Sequence, residues 1–320
     1  MVRAMARDRG PLPRVAWLVT IAACGPTVKP PSPPPEPGPV ARMEPPHPNV
    51  GPGRHVVVGE MCPQGAAGRP AVAALVMRTL GWVDNAEEIS SQVEHGSVPR
   101  FVVFGTDGKL AGAFDTLGVV EVAGGATGAV ASGTYTGASP CTYDAAAKPA
   151  AGQVATRGEE PKCGAATAGC GLAVGDITRP DEPPGADPFA TGGACLSGDQ
   201  LAVDIDGDGR IESFPLAGIL DGIRGPAQEW TASPTASATC KPQFQLYDIH
   251  LAAAPDPGKA VDPKSTVTVD VLGVVDLDGD GRKELVLAFK FATVRSIVIY
   301  TATGSPERLE LAGEGASFAH

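Results

Sequence analysis

Two short acidic runs carry the residues most capable of chemistry in this chain. They are Asp204-Ile205-Asp206-Gly207-Asp208-Gly209-Arg210-Ile211-Glu212 and Asp276-Leu277-Asp278-Gly279-Asp280-Gly281-Arg282-Lys283-Glu284. Each puts carboxylates at positions 1, 3, 5 and 9 and glycines at positions 4 and 6. Alternate positions bring oxygen ligands to one side of a tight loop, and glycine tolerates the positive φ that curls the backbone around an ion. A hard divalent cation that takes six to eight oxygens suits such a set, which points to Ca2+ at two sites. The competing reading is a pair of solvated, ion-free Asp-Gly turns, with Arg210, Arg282 and Lys283 screening the acids. Four carboxylates in one loop repel one another unless a cation sits between them, which favours the ion.

The elements that must position these loops are strands. An EF-hand needs a bidentate glutamate at position 12 and a helix on each side. Position 12 is Pro215 in the first run and Leu287 in the second. The flanks Leu201-Ala202-Val203 and Leu285-Val286-Leu287-Ala288-Phe289 have strand character, so helix–loop–helix is excluded. The runs resemble the strand–loop–strand calcium loops of FG-GAP and VCBS-type repeats, whose pattern is Asp-x-Asp-x-Asp-Gly-x-x-Asp/Glu before an apolar strand. That resemblance implies side-chain ligands from Asp204, Asp206, Asp208 and Glu212 with the Arg210 carbonyl. In the second loop it implies Asp276, Asp278, Asp280 and Glu284 with the Arg282 carbonyl. It covers about residues 266 to 304 and, more loosely, 198 to 216. Propeller blades recur every ~40–60 residues, whereas these loops lie 72 residues apart. A compact antiparallel sandwich or a partial propeller-like sheet is therefore expected, not a full propeller.

The N-terminus reads as an export signal. Arg3, Arg7, Arg9 and Arg14 precede the short apolar run Val15–Ala23, far below the ~20 apolar residues that span a bilayer. Ile21-Ala22-Ala23-Cys24 resembles the lipobox of bacterial lipoproteins, which implies a signal peptide over 1–23 and lipidation of Cys24. Gly25 is not the aspartate that marks inner-membrane retention in well-known lipoproteins, which points to the outer membrane. Residues 24–53 hold a dense run of prolines and form a tether. In polyproline II at ~3.1 Å per residue it would reach about 85 Å from the lipid. Loss of residues 1–23 removes four Arg and one Asp, so the formal charge moves from −11 to −14. An acidic exported chain has no electrostatic case for nucleic acid. Its expected partners are the membrane, through the lipid, and an envelope protein or glycan.

Six cysteines remain besides Cys24: Cys62, Cys141, Cys163, Cys170, Cys195 and Cys240. An even number in an oxidising compartment suggests three disulfides of undetermined connectivity, with Cys163 and Cys170 the natural local pair. Buried thiols are the alternative, and zinc is disfavoured because no Cys-x-x-Cys occurs.

Residues 54–160 read as an α/β subdomain with a loop-rich tail, and 161–320 as a β domain carrying the calcium loops. In the first, His55–Gly59 is a strand, Pro70–Leu80 a helix ending before Gly81, and 84–94 a helix capped by Asp84 or Asn85. Arg100–Gly105 and Leu110–Phe114 form a hairpin about Asp107-Gly108. In the second, strands are expected over 172–177, 200–203, 244–251, 266–275, 284–291, 296–301 and 308–311, with a short helix over 217–222. No motif for hydrolytic or nucleotide chemistry occurs, and His250 in an apolar strand reads as a packing residue. Val98-Pro99-Arg100-Phe101-Val102-Val103-Phe104 with Asp107-Gly108-Lys109 resembles the cis-proline strand and hairpin of thioredoxin-like domains. Upstream, Cys62-Pro63-Gln64-Gly65 has only one of the two cysteines, so dithiol exchange would lack its resolving thiol. A calcium-binding envelope lipoprotein with a binding or structural role is the leading expectation. A redox or hydrolytic enzyme built on 54–123 is the alternative.

Overall fold

A run such as Val56-Val57-Val58 with no polar alternation must be buried on both faces. The computed structural model, which describes residues 53–62, 70–94, 100–105, 108–122, 128–138, 171–177, 191–221, 225–234, 248–252, 266–291 and 294–318, shows what covers them. The strands are β1 (Val56–Cys62), β2 (Ala71–Arg78), β3 (Trp82–Val83), β4 (Arg100–Phe104), β5 (Leu110–Val122), β6 (Gly128–Gly137) and β7 (Gly171–Asp176). They continue as β8 (Thr191–Gly192), β9 (Ala194–Ser197), β10 (Gln200–Val203), β11 (Glu212–Pro215), β12 (Leu220–Asp221), β13 (Gly225–Pro226) and β14 (Glu229–Thr231). The last are β15 (Asp248–Ala252), β16 (Thr266–Val275), β17 (Glu284–Phe291), β18 (Val294–Ala302) and β19 (Arg308–Phe318). One helix, α1 (Ala86–Glu94), lies between β3 and β4. The protein is thus mainly β and antiparallel, and it is not a full propeller.

Six strands close on themselves. The order β1-β7-β4-β5-β6-β2 is completed by antiparallel pairing of β2 with β1, which makes a barrel without a free edge. Val57, Met61, Val72, Leu75, Met77, Phe101 and Phe114 belong to one interior core, which Ile89 of α1 joins. The opposite faces of the same strands (Val56, Val58, Val76, Val102, Val174) pack on Leu272, Val286, Ala288, Ile297 and Ile299 of a second sheet. That sheet runs β14-β19-β18-β17-β16-β15, with β8 also on β16. Its far face forms a third core with the small sheet β11-β10-β9 and the segment around Trp230. Trp230 sits 5.2 Å from Phe214 and 5.8 Å from Tyr300 between ring centroids, and its Nε1 donates to the Pro215 carbonyl at 2.8 Å. The ring is buried on its apolar body while its one donor is satisfied.

Four sequence expectations are corrected. Residues 70–80 are not a helix: Ala71–Arg78 is a barrel strand. Ala, Leu, Met and Arg favour helices in isolation, but each face of this segment meets its own core, and burial outweighs propensities of a few tenths of a kcal/mol per residue. A bulge opposite Gly59, with Ala74 at φ 54°, re-aims the strand there. Second, β7, expected to open the C-terminal domain, instead inserts between β1 and β4, so a boundary near 160 does not separate two folding units. Third, the hairpin β4–β5 forms as expected, but within a closed antiparallel barrel and not a thioredoxin-like sheet. Cys62 ends a strand instead of starting a helix. The helix expected over 217–222 is a single 3-10 turn, Leu216–Gly218. The helix at 84–94 is present, and Asn85 caps it, its Oδ1 accepting from the N–H groups of Glu87 and Glu88 at 2.9 and 3.1 Å.

Candidate metal sites

Each acidic run connects two paired strands, the first β10 to β11 and the second β16 to β17. Position 2 fixes how each loop sits. Ile205 and Leu277 are fully buried, Ile205 in the core around Trp230 and Leu277 in the core shared with the barrel. With position 2 pinned inward, positions 1 and 3 are turned to the other side together. The glycines at positions 4 and 6 adopt positive φ in both loops: 75° and 85° at Gly207 and Gly209, 76° and 90° at Gly279 and Gly281.

Four hydrogen bonds recur at equivalent positions in both. The closing glutamate reaches back, Oε2 of Glu212 accepting from Ile205 N–H at 3.1 Å and Oε2 of Glu284 from Leu277 N–H at 2.8 Å. Asp206 and Asp278 each accept from the N–H two residues on, at 3.1 and 3.0 Å. Asp208 and Asp280 accept from Arg210 and Arg282 N–H, both at 2.7 Å. Asp204 and Asp276 accept from Gly209 and Gly281, both at 3.3 Å. The outcome is two trios, Asp204/Asp206/Glu212 and Asp276/Asp278/Glu284, each with one oxygen per residue within 4.8 Å of the others. Asp208 and Asp280 fall outside the trios. Arg210 and Arg282, expected to offer carbonyl oxygens, sit at position 7 with their N–H groups bound to those aspartates.

Burial makes these carboxylates expensive to ionise. In the second loop Asp276, Asp278 and Glu284 are 8%, 9% and 1% exposed. Burial, with Asp278 next in importance, holds the Glu284 carboxyl well above the usual range. Asp276 and Asp278 are also raised, by burial first and then by neighbouring acid charge. In the first loop burial, aided by the charges of Asp206 and Asp204, pushes Glu212 from 4.5 to about 6. Asp204 Oδ1 is buried and accepts no hydrogen bond, whereas its counterpart Asp276 Oδ1 accepts from Gly279 N–H at 2.7 Å. An orphaned buried oxygen within an all-oxygen donor set fits a hard cation such as calcium, and these two trios could hold one each.

Sequence reading missed the surroundings of the loops. The loops touch: Lys283 N–H donates to the Ile205 carbonyl at 2.8 Å and Lys283 Nζ to the Asp204 carbonyl at 3.2 Å. Thr301 Oγ1 donates to Glu284 at 3.2 Å. From the barrel, Arg78 reaches Asp278 Oδ2 at 2.9 Å, and Arg54 N–H donates to the Asp278 carbonyl at 2.8 Å. None of these pairings has a local sequence signal: the partners lie 78 or more residues apart, save Thr301 and Glu284, which are 17 apart on adjacent strands.

Of the cysteines, Cys195 is disulfide-bonded. Cys62 is buried and its Sγ donates to the Glu60 carbonyl at 3.6 Å. Cys24, Cys141, Cys163, Cys170 and Cys240 lie outside the described residues, as do the signal and tether segments up to residue 52. No family model matches this chain, and no curated protein or solved structure shows significant similarity to it.

Proposed function

We propose that this protein is a calcium-binding envelope lipoprotein, anchored through Cys24 and held off the membrane by its Pro-rich segment, with a binding or structural role. One observation supports the reading above the rest: two loops of like sequence share four equivalent hydrogen bonds, and each gathers three carboxylates within 4.8 Å. Calcium would act there as a clip. Each loop joins paired strands, and the second also touches the barrel, so an ion would tie strand ends together and relieve the repulsion of buried carboxylates. A surface stiffened this way suits docking of an envelope protein or a glycan. The experiment is a thermal melt of the full chain in ~2 mM CaCl2 and in calcium-free buffer. For two sites of ~0.1 mM affinity, binding to the native state alone adds about 3–4 kcal/mol, a rise of several degrees. Asp206→Asn and Asp276→Asn should each remove about half of it. Coincident melts of the wild-type chain would refute the calcium reading.

A further inference from the structure

Resting on the reading of the second loop as a calcium site, we infer that Arg78 is a resident counter-cation of that site, making the two sites unequal and coupling calcium to the seating of the barrel. The loops are alike in sequence and share four internal hydrogen bonds, and they differ most in the charged groups that surround them. Around the first, among the described residues, Arg210 lies 3.8 Å from Asp208 and is 88% exposed, and Lys283 Nζ donates to the Asp204 carbonyl. Around the second, Arg78 comes from a different sheet, at the end of β2. Its Nη2 lies 2.9 Å from Asp278 Oδ2, with the two side chains only 21% and 12% exposed. Its Nη1 donates to the Arg54 carbonyl at 3.1 Å, and Arg54 N–H donates to the Asp278 carbonyl at 2.8 Å. Barrel, start of the folded chain and acidic loop are thereby closed into one triangle.

Two effects of Arg78 on a bound cation oppose each other. As a fixed positive charge a few ångström from a divalent ion it weakens binding, by an amount that partial burial keeps at roughly tenfold. As a hydrogen-bond donor it orients a ligand, and loss of such a partner commonly weakens a site by about 10- to 100-fold. Asp278, however, is held without Arg78: its Oδ1 accepts from Asp280 N–H at 3.0 Å and its carbonyl from Arg54. The charge effect therefore prevails, and Arg78 stands in for the ion when calcium is absent.

The test is calorimetric titration of the full chain with CaCl2, paired with melts, for the wild type, Arg78→Gln and Arg78→Lys. Asp206→Asn is added to each chain to disable the first loop. Arg78→Gln should bind calcium about tenfold more tightly, melt lower than its parent without calcium, and show a larger calcium-induced rise. Arg78→Lys should keep the parent affinity. If Arg78→Gln unfolds without calcium, chelator competition on protein purified in calcium gives the same affinity. An unchanged or weaker affinity in Arg78→Gln, with calcium still bound, overturns the counter-cation role and leaves the calcium reading standing. Absence of binding in every chain overturns both.

Discussion

Arg295 of β18 is 5% exposed and holds two acids at once. It grips Glu60 of the barrel through both carboxylate oxygens, at 2.7 and 2.6 Å, and Asp270 of β16 at 2.5 Å. Burial raises the Glu60 carboxyl, and the Arg295 charge opposes that rise. Removing one member of a buried ion pair leaves the other charge stranded, whereas a well-packed apolar replacement of the whole set can be neutral. Arg295→Met should thus lower stability by about 3–5 kcal/mol in denaturant titrations, and Glu60→Gln/Arg295→Met/Asp270→Asn should recover a large part of it. A triple variant no better than the single one would contradict this account. The acidic loops give a second residue-scale prediction. Glu212 has a native value of about 6 against 4.5 unfolded, and Glu284, Asp276 and Asp278 move in the same direction. A raised carboxyl favours the folded state below the unfolded value, and that contribution is lost as pH rises through the native one. Calcium needs the ionised form, so the ion acts with the opposite sign. The difference in melting temperature between calcium-loaded and calcium-free protein should grow from pH 5 to pH 7. A difference that is constant or shrinks over that range would show that these carboxylates do not bind the ion.

At the scale of elements, the contact of β19 with β2 depends on a notch. A Cβ on Gly315 would lie 2.4 Å from the Ala74 carbonyl oxygen and 2.7 Å from that of Leu75, and backbone cannot yield as a side-chain tip can. Gly315→Ala should therefore cost at least about 1–3 kcal/mol by overpacking. By contrast Gly304, at φ 77° with open space around it, would be strained by its backbone alone. A Gly315→Ala protein melting at the wild-type temperature would mean that the two layers can slide apart without loss. The notch also shows what local sequence conceals. Strands β10, β16 and β17 were legible to the residue because β-branched and apolar runs stop at Asp-Gly loops, and turn chemistry is local. The gathering of each acidic trio was legible for the same reason, since carboxylate spacing is set within nine residues, whereas the exclusion of Asp208 and Asp280 was not. Ala71–Arg78 was illegible because a strand buried on both faces lacks the alternation that distinguishes it from a helix, and the bulge at Ala74 breaks even the remaining period. Arg78, Arg54 and the bridge made by Lys283 were illegible because they join segments brought together only by the packing of barrel on sheet.

At the scale of the molecule, closure of the barrel is a non-local event. Strands β1 and β4 do not pair with each other; β7, from much later in the chain, lies between them, hydrogen-bonded to both. A chain ending at 160 would expose the open edges of β1 and β4, along with the apolar outer faces that Leu272, Val286 and Ile297 cover. It would also lose Arg295, the ion-pair partner of Glu60 on that face. Unpaired edges and uncovered apolar faces both promote association. A fragment of residues 54–160 should consequently show no cooperative melt and should aggregate, and extension to 177 should restore barrel pairing but not the second layer. Cooperative unfolding is expected only when the sheet β14–β19 is present, because that sheet covers the barrel's outer face. Circular dichroism melts of the three lengths decide the matter: a sharp transition in the 54–160 fragment would mean that the barrel region folds without β7, and that the two halves of the chain are independent after all.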